Sequence, residues 1–237
     1  MKIKKLILAL VLGSMLVGLS GCNITDFSAE NLLRPPKAVG DEAEIEQLIA
    51  KTADSGYTLK YPKNGKFRSA IIMTDLDGND SNEAVAFFRN SAETSSVHML
   101  VMYSKDKSWE IASDNIFETT DIDSVDFADL TGNGKAEIIV NSTTYTPNVG
   151  KLSCYSYSEG KTNEVGSGQS CSSFVTGDFD NDGTSEIMSL VLYTTENEAL
   201  ASMLDYNEDS KSLYAKAMAN MDPNVVKYKN IAVTKLD

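Results

Sequence analysis

DFDNDGTSE, residues 178 to 186, is one of three acidic nine-residue segments that recur along this 237-residue chain. The other two are DLDGNDSNE at residues 75–83 and DLTGNGKAE at residues 129–137. Each begins with Asp and has Leu or Phe second, an oxygen-bearing side chain third, Asn or Asp fifth and Glu ninth. Each then leads into an apolar run of the kind that forms a β-strand. Repeats of this kind indicate that the chain is built from copies of one supersecondary unit.

A tyrosine lies 20 residues after the last Glu of each segment, at Tyr103, Tyr157 and Tyr206. A polar, turn-like stretch follows each tyrosine, which predicts a strand leaving the loop, a second strand ending at the tyrosine, a hairpin turn and a third strand. The loops begin 54 and 49 residues apart, about the length of one propeller blade. We therefore expect an all-β fold of repeated antiparallel blades, forming a complete or partial β-propeller over residues 57–237.

The predicted units begin near residues 69, 123 and 172, and an incomplete fourth begins near residue 229. NIAVTKLD, residues 230–237, resembles SAIIMTDLD at residues 69–77, but Lys235 stands where the first Asp of a loop is expected. Either this last loop is degenerate or the unit is interrupted. Three blades do not close an ordinary propeller, so their open edges would need cover from the helix, a partner chain or further sequence.

The loops have the chemistry of a calcium site. A hard divalent cation takes six to eight oxygen ligands, which alternate positions of a tight loop can supply. Positions one, three and five are expected to point inward, position seven to offer its carbonyl and position nine to close the shell. Glycine at position six allows the sharp turn in two loops, whereas Asp80 is less favourable there. The candidate ligands are Asp75, Asp77, Asn79 and Glu83; Asp129, Thr131, Asn133 and Glu137; and Asp178, Asp180, Asp182 and Glu186.

The nearest alternative motif is the EF-hand, which requires a bidentate Glu at position twelve and helical flanks. Position twelve is Ala86, Val140 or Ser189, so this motif does not fit. The pattern D-x-[DNT]-x-[DN]-[GD]-x-x-E instead resembles the loops of FG-GAP or VCBS-type repeats, the calcium-binding blades of integrin-like β-propellers. The resemblance covers residues from about 69 onward and implies Ca²⁺ in the loops, with no particular ligand. Because ligand charge tunes affinity, we expect the third loop to bind tightest and the second weakest.

The N-terminus has the features of an export signal. Three lysines within the first five residues precede an apolar run that ends at Leu19 and is too short to span a bilayer comfortably. The stretch closes on LSGC, residues 19–22, which resembles the lipobox of bacterial lipoproteins. The resemblance implies cleavage after residue 21 and a diacylglycerol on Cys22, which would anchor the protein at the extracytoplasmic face of a bacterial cell membrane. An ordinary secretory signal that ends in a chance cysteine is the alternative.

Two short segments separate this signal from the repeats. Residues 22–40 contain Pro35 and Pro36 and read as a tether from the lipid. Residues 41–56 predict a helix with a short apolar stripe that packs against the first blade, and a partner-binding helix is the alternative.

The charge of the chain limits its partners. The formal net charge is −13, and removal of the signal, which carries three lysines and no acids, lowers it to −16. Such a surface argues against nucleic acid and anionic lipid and favours cations.

Cys154 and Cys171 are the cysteines left after Cys22. A disulfide between them would close about 17 residues and contribute roughly 3 kcal/mol. Free buried thiols are equally compatible with the sequence.

Catalysis has little support. His98 is the only histidine, so no His-rich zinc site can form, and its place in a strand-like run favours a structural role over that of a triad base. Paired acids of a cell-envelope carbohydrate-active enzyme remain an alternative, as does a transporter's solute-binding lipoprotein, although that class alternates strands and helices. We expect a cell-surface binding or scaffold module without enzymatic activity. Its protein or carbohydrate partner would contact loops such as residues 141–150, which equally read as solvated turns.

Overall fold

The computed structural model describes residues 40–222 apart from residues 55, 147 and 194–196. Within them the chain forms one helix, α1 (Asp41–Ala53), and 13 strands arranged in three antiparallel sheets. The predicted mostly β architecture with one short helix is confirmed. The described sheets do not close into a barrel or a propeller, so the propeller stays a prediction. The signal segment, Cys22, residues 22–39 of the tether and the unit near residue 229 lie outside the described residues.

The second and third sheets follow the chain in order as antiparallel meanders, whereas in the first sheet the first two strands share one neighbour. The first contains β1 (Tyr57–Leu59), β2 (Ile71–Thr74), β3 (Glu83–Asn90), β4 (Val97–Lys105) and β5 (Ser108–Phe117). Both β1 and β2 pair with β3, at successive parts of the same edge. The second contains β6 (Ile122–Ala128), β7 (Glu137–Thr143), β8 (Gly150–Ser158) and β9 (Lys161–Cys171). The third contains β10 (Ser173–Gly177), β11 (Glu186–Tyr193), β12 (Glu198–Asn207) and β13 (Ser212–Met221).

The sheets and the helix pack as consecutive layers. Helix α1 buries Ile45, Ile49 and Ala53 against one face of the first sheet. The other face of that sheet packs on the second sheet, with Phe87 and Ile138 among the fully buried side chains. The far face of the second sheet packs on the third through residues that include Ile139, Leu152, Ile187 and Leu204. Each apolar layer therefore joins neighbours in sequence. Among the described residues no helix is long and apolar enough to cross a membrane.

The predicted hairpins are confirmed, but the common tyrosine spacing does not place the tyrosines equivalently. Met102 pairs with the residue after Glu83, whereas Tyr155 pairs with the residue after Glu137. Tyr103 thus lies one residue beyond that pair, and Tyr157 lies two beyond it. Since one residue moves a side chain to the opposite face of a strand, both tyrosines enter the same layer from opposite sides, between the first and second sheets.

The two cysteines are free, buried thiols and do not form the disulfide that the sequence left open. Cys154 pairs with Gly166, and Cys171 pairs with Gly150, across the same β8–β9 hairpin. The two cysteines are thus four strand residues apart, on the order of 10 Å, beyond the span of a disulfide. Burial raises the pKa of both thiols, that of Cys171 to about 12.

Candidate metal loops

The three acidic loops share one hydrogen-bonded frame. In each, the carboxylate of the first Asp accepts hydrogen bonds from the backbone amides of positions five and six, at 2.8 to 3.2 Å. These bonds curl the chain around the carboxylate, as expected for an Asx-type turn. Although desolvation opposes it, the amides around Asp75 lower the pKa of that carboxyl. The amides of the first loop therefore favour the ionised form of Asp75.

The Glu at position nine ties the end of each loop back to its beginning. Glu83, Glu137 and Glu186 each accept a hydrogen bond of 2.8 Å from the amide of position two. All three are buried, with exposed fractions of 3%, 1% and 0%. Desolvation raises the pKa of each of these carboxyls, and neighbouring loop carboxylates act in the same direction. The position-nine carboxylates thus lie in surroundings that disfavour negative charge.

Two positions in every loop have left-handed backbone. At position six the φ angles are 66° for Asp80, 78° for Gly134 and 94° for Gly183. Position four, which the sequence pattern did not single out, is left-handed as well: Gly78 at 74°, Gly132 at 71° and Asn181 at 61°. Glycine and asparagine tolerate this conformation best. The available signal was the restriction of position four to Gly or Asn.

Two loops gather carboxylates. One ligand atom from each of Asp178, Asp180, Asp182 and Glu186 lies within 4.8 Å of the others, and the same holds for Asp75, Asp77 and Glu83. Glu186 Oε1 is buried with no hydrogen-bond partner, as is Asp77 Oδ1. A buried, unpaired carboxylate oxygen is costly unless a cation or a donor satisfies it. The donor set, all hard oxygens, fits Ca²⁺ or a similar cation.

The second loop differs from the other two because its own groups donate hydrogen bonds to both carboxylate oxygens of its glutamate. It has only two acids, Asp129 and Glu137. The hydroxyl of Thr131 donates to Glu137 Oε1 at 3.2 Å, and the amide of Leu130 donates to Oε2. At position five, the side-chain oxygen of Asn133 accepts from the amide of Lys135 at 2.8 Å. This loop therefore has fewer ionic ligands and no orphaned oxygen on its glutamate.

In the first and third loops, too, the position-five side chain accepts hydrogen bonds from a residue of its own loop. Asn79 Oδ1 accepts from the amide of Ser81 at 2.7 Å. Asp182 Oδ1 accepts from the amide and the hydroxyl of Thr184, which lower the pKa of Asp182. One side-chain oxygen of each predicted position-five ligand is thus already in a hydrogen bond.

The loops also contact one another. The amide of Ala136 donates to the carbonyl of Leu76 at 3.0 Å, and the amide of Ser185 donates to the carbonyl of Asp129 at 2.8 Å. A Cβ built on Gly132 would lie 2.6 Å from Thr184 Cγ2. Successive loops therefore lie side by side.

Sequence reasoning missed a cation at the third loop. Lys216, on β13, donates from Nζ to Asp180 Oδ2 and, at 2.9 Å, to Asp205 Oδ2. The lysine lies 36 residues from Asp180 in sequence. No local pattern could have paired them.

His98 lies within β4, as expected, and only 6% of it is exposed. Its ring stacks on Phe88 at a centroid distance of 4.8 Å, and Nδ1 lies 2.9 Å from Asp114 Oδ1. These contacts serve the packing of the first sheet.

A scan against protein-family models finds no match for this chain, and a search of curated proteins finds no significant relative. The resemblance to FG-GAP or VCBS-type repeats therefore remains a prediction carried by the loops.

Proposed function

We propose that this chain is a calcium-stabilised β-repeat protein that acts as a binding or scaffold module. The observation that carries the proposal is Glu186, a fully buried glutamate whose Oε1 has no partner and which lies among three aspartates. Calcium satisfies such an oxygen and offsets the repulsion among the carboxylates. The smaller set of Asp75, Asp77 and Glu83, with its orphaned Asp77 oxygen, supports the same function in the first loop.

The metal is a structural element in this proposal. Asp178 directly follows β10, and Glu186 begins β11, so a cation held by both closes the connection between two paired strands. Asp75 and Glu83 stand in the same relation between β2 and β3. Removing the cation leaves several acids facing one another, with Lys216 compensating the charge of the third loop only in part, which weakens both connections.

The sheets act as propeller-type blades in this proposal. Consecutive antiparallel sheets that pack face to face, with an acidic loop after the first strand of the blade, support that arrangement. The anchor is a lipid on Cys22 at the extracytoplasmic face of a bacterial cell membrane, and the support for it is the sequence of residues 1–22. The partner is a protein or a carbohydrate of the cell envelope. Tyr145, 95% exposed, offers one aromatic contact for it.

The test is thermal unfolding of the chain without its first 22 residues, in Ca²⁺ and in chelator. With a dissociation constant of about 10⁻⁴ M, Ca²⁺ at about 10⁻³ M stabilises by about 1.4 kcal/mol per loop. Two occupied loops then raise the midpoint by roughly 6–11 °C in a domain of this size. Mg²⁺ is the control cation, and we expect a smaller shift from it because it demands stricter geometry. An unchanged midpoint in Ca²⁺ would contradict the proposal.

A further inference from the structure

Lys216 is the cation that the fold itself supplies to the third loop. Its Nζ contacts Asp180 Oδ2, within the carboxylate cluster, and Asp205 Oδ2, outside it, the latter at 2.9 Å. One-third of the lysine side chain and 13% of the Asp205 side chain are exposed. The ammonium is therefore shared between one candidate metal ligand and one neighbouring acid.

A β-bulge places the lysine there. In every sheet the pairing of the last two strands skips a residue at the equivalent place, which is Ala112 in β5, Val165 in β9 and Lys216 in β13. The β8–β9 pairing skips Gly168 as well. Ala112 and Val165 pack in the apolar layers between sheets. A bulge re-aims the side chain that it leaves unpaired. The third sheet thus has a lysine where the first two have apolar residues.

Lys216 lowers the net negative charge of the third loop. Its four carboxylates and the ammonium of Lys216 sum to the same charge as the three carboxylates of the first loop. A divalent cation at the third loop competes with the ammonium for Asp180, and the two positive charges repel each other across a few ångströms. Asp205 remains a partner for Lys216 when Asp180 turns to the metal.

We propose that Lys216 is an intramolecular competitor for the divalent cation at the third loop, and that it gives up Asp180 and keeps Asp205 when the metal binds. The inference rests on the proposed binding of calcium to this loop. Beyond that function, we infer that Lys216, which lies on another strand, makes the Ca²⁺ affinity of the third loop lower than its four acids indicate.

The test measures Ca²⁺ binding calorimetrically in a D75A background, so that the third loop provides the remaining carboxylate cluster. In K216M we expect about tenfold tighter binding, because the competing charge is gone. K211M, which removes a lysine from the turn that precedes β13, is the matched control and should stay within about twofold of the background. K216R keeps the charge and should bind like the background.

Asp205 provides an independent readout. D205N leaves Lys216 with Asp180 alone and should weaken binding severalfold, and this effect should nearly vanish in the K216M/D205N double variant. Equal affinity of the D75A background and the K216M variant, or additive effects of K216M and D205N, would overturn the role of Lys216 while leaving calcium binding intact. Absence of binding in both the background and K216M would overturn the calcium site together with it.

Discussion

Glu186 is a carboxylate of the third loop whose negative charge is opposed by its burial. One oxygen accepts the amide of Phe179 at 2.8 Å, and the other is buried without a partner. Burial raises the pKa of this carboxyl, so folding without metal works against its ionisation. The same feature makes the oxygen a strong ligand once a cation is present.

The substitution E186Q should therefore have effects of opposite sign with and without calcium. In chelator at neutral pH we expect a gain of about 1 kcal/mol in the free energy of unfolding, because a buried unpaired charge is removed. In Ca²⁺ we expect a net loss, with affinity reduced by about tenfold or more. Urea denaturation in the two buffers measures both effects, with the exposed Glu198 changed to Gln as control. Destabilisation by E186Q in chelator would show that the charge is satisfied without metal.

At the scale of elements, an ion pair joins the segment after β1 to the start of the second sheet. Asp121 Oδ1 lies 2.6 Å from Lys60 Nζ, and Oδ2 lies 3.1 Å from Lys63 Nζ. Against the opposing effect of desolvation, the two lysines lower the pKa of Asp121. A carboxyl with a depressed folded pKa stabilises the fold above its unfolded value and loses that contribution as the pH falls through the folded pKa.

We expect D121N to lower the free energy of unfolding by about 1 kcal/mol at pH 7, since the pair is partly exposed and screened. The difference from the parent chain should shrink as the pH falls below about 4. Urea midpoints between pH 7 and pH 3 test this, with D209N in the β12–β13 turn as control. A gap that is independent of pH would mean that the asparagine disturbs packing rather than charge.

Contact between the second and third loops depends on a glycine. Gly132 has a φ of 71°, and a Cβ there would lie 2.6 Å from Thr184 Cγ2, whereas Gly134 has a φ of 78° and open space around it. We expect G134A to cost about 1 kcal/mol from the backbone alone and G132A to cost about 1 kcal/mol more. Replacing Thr184 by Ser removes the clashing methyl and should abolish the extra cost of G132A relative to G134A. Equal costs for the two alanine variants would contradict the close approach of the loops.

At the scale of the whole molecule, the apolar layers of the described residues join units that are neighbours in sequence. Helix α1 covers the first sheet, the first sheet covers the second, and the second covers the third. Hydrogen bonds between loops follow the same order, from Leu76 to Ala136 and from Asp129 to Ser185. Such nearest-neighbour packing is typical of repeat architectures, in which each unit buries its apolar face against the next.

The predicted lipid anchor on Cys22 concerns the whole molecule, because it would determine where the chain is located. Metabolic labelling with a fatty-acid analogue in a bacterial host should mark the full chain and place it in the membrane fraction. C22A should lose the label and leave the membrane fraction, because a lipid on that thiol is the only attachment in the proposal. C171A is the matched control, since that thiol is buried in the apolar layer between the second and third sheets. Labelling that survives C22A would contradict the lipoprotein assignment.

Much of the fold and of the candidate site follows from local sequence. The strand order, the hairpins and the acidic loops are readable because each loop closes through hydrogen bonds within nine residues, such as that between Leu76 and Glu83. The polar turn residues that separate the apolar runs then determine where strands begin and end. These features need no knowledge of distant contacts.

Only the tertiary structure decided what those loops and strands meet. A one-residue difference in pairing brings Tyr103 and Tyr157 into one layer, and the β8–β9 register keeps Cys154 and Cys171 apart. Burial of Glu186, with one oxygen unpaired, depends on the packing of the third sheet, and the approach of Lys216 depends on a bulge 36 residues away. Short-range hydrogen bonds repeat wherever the local sequence repeats, whereas register, burial and long-range charge pairing arise only when separate strands pack together.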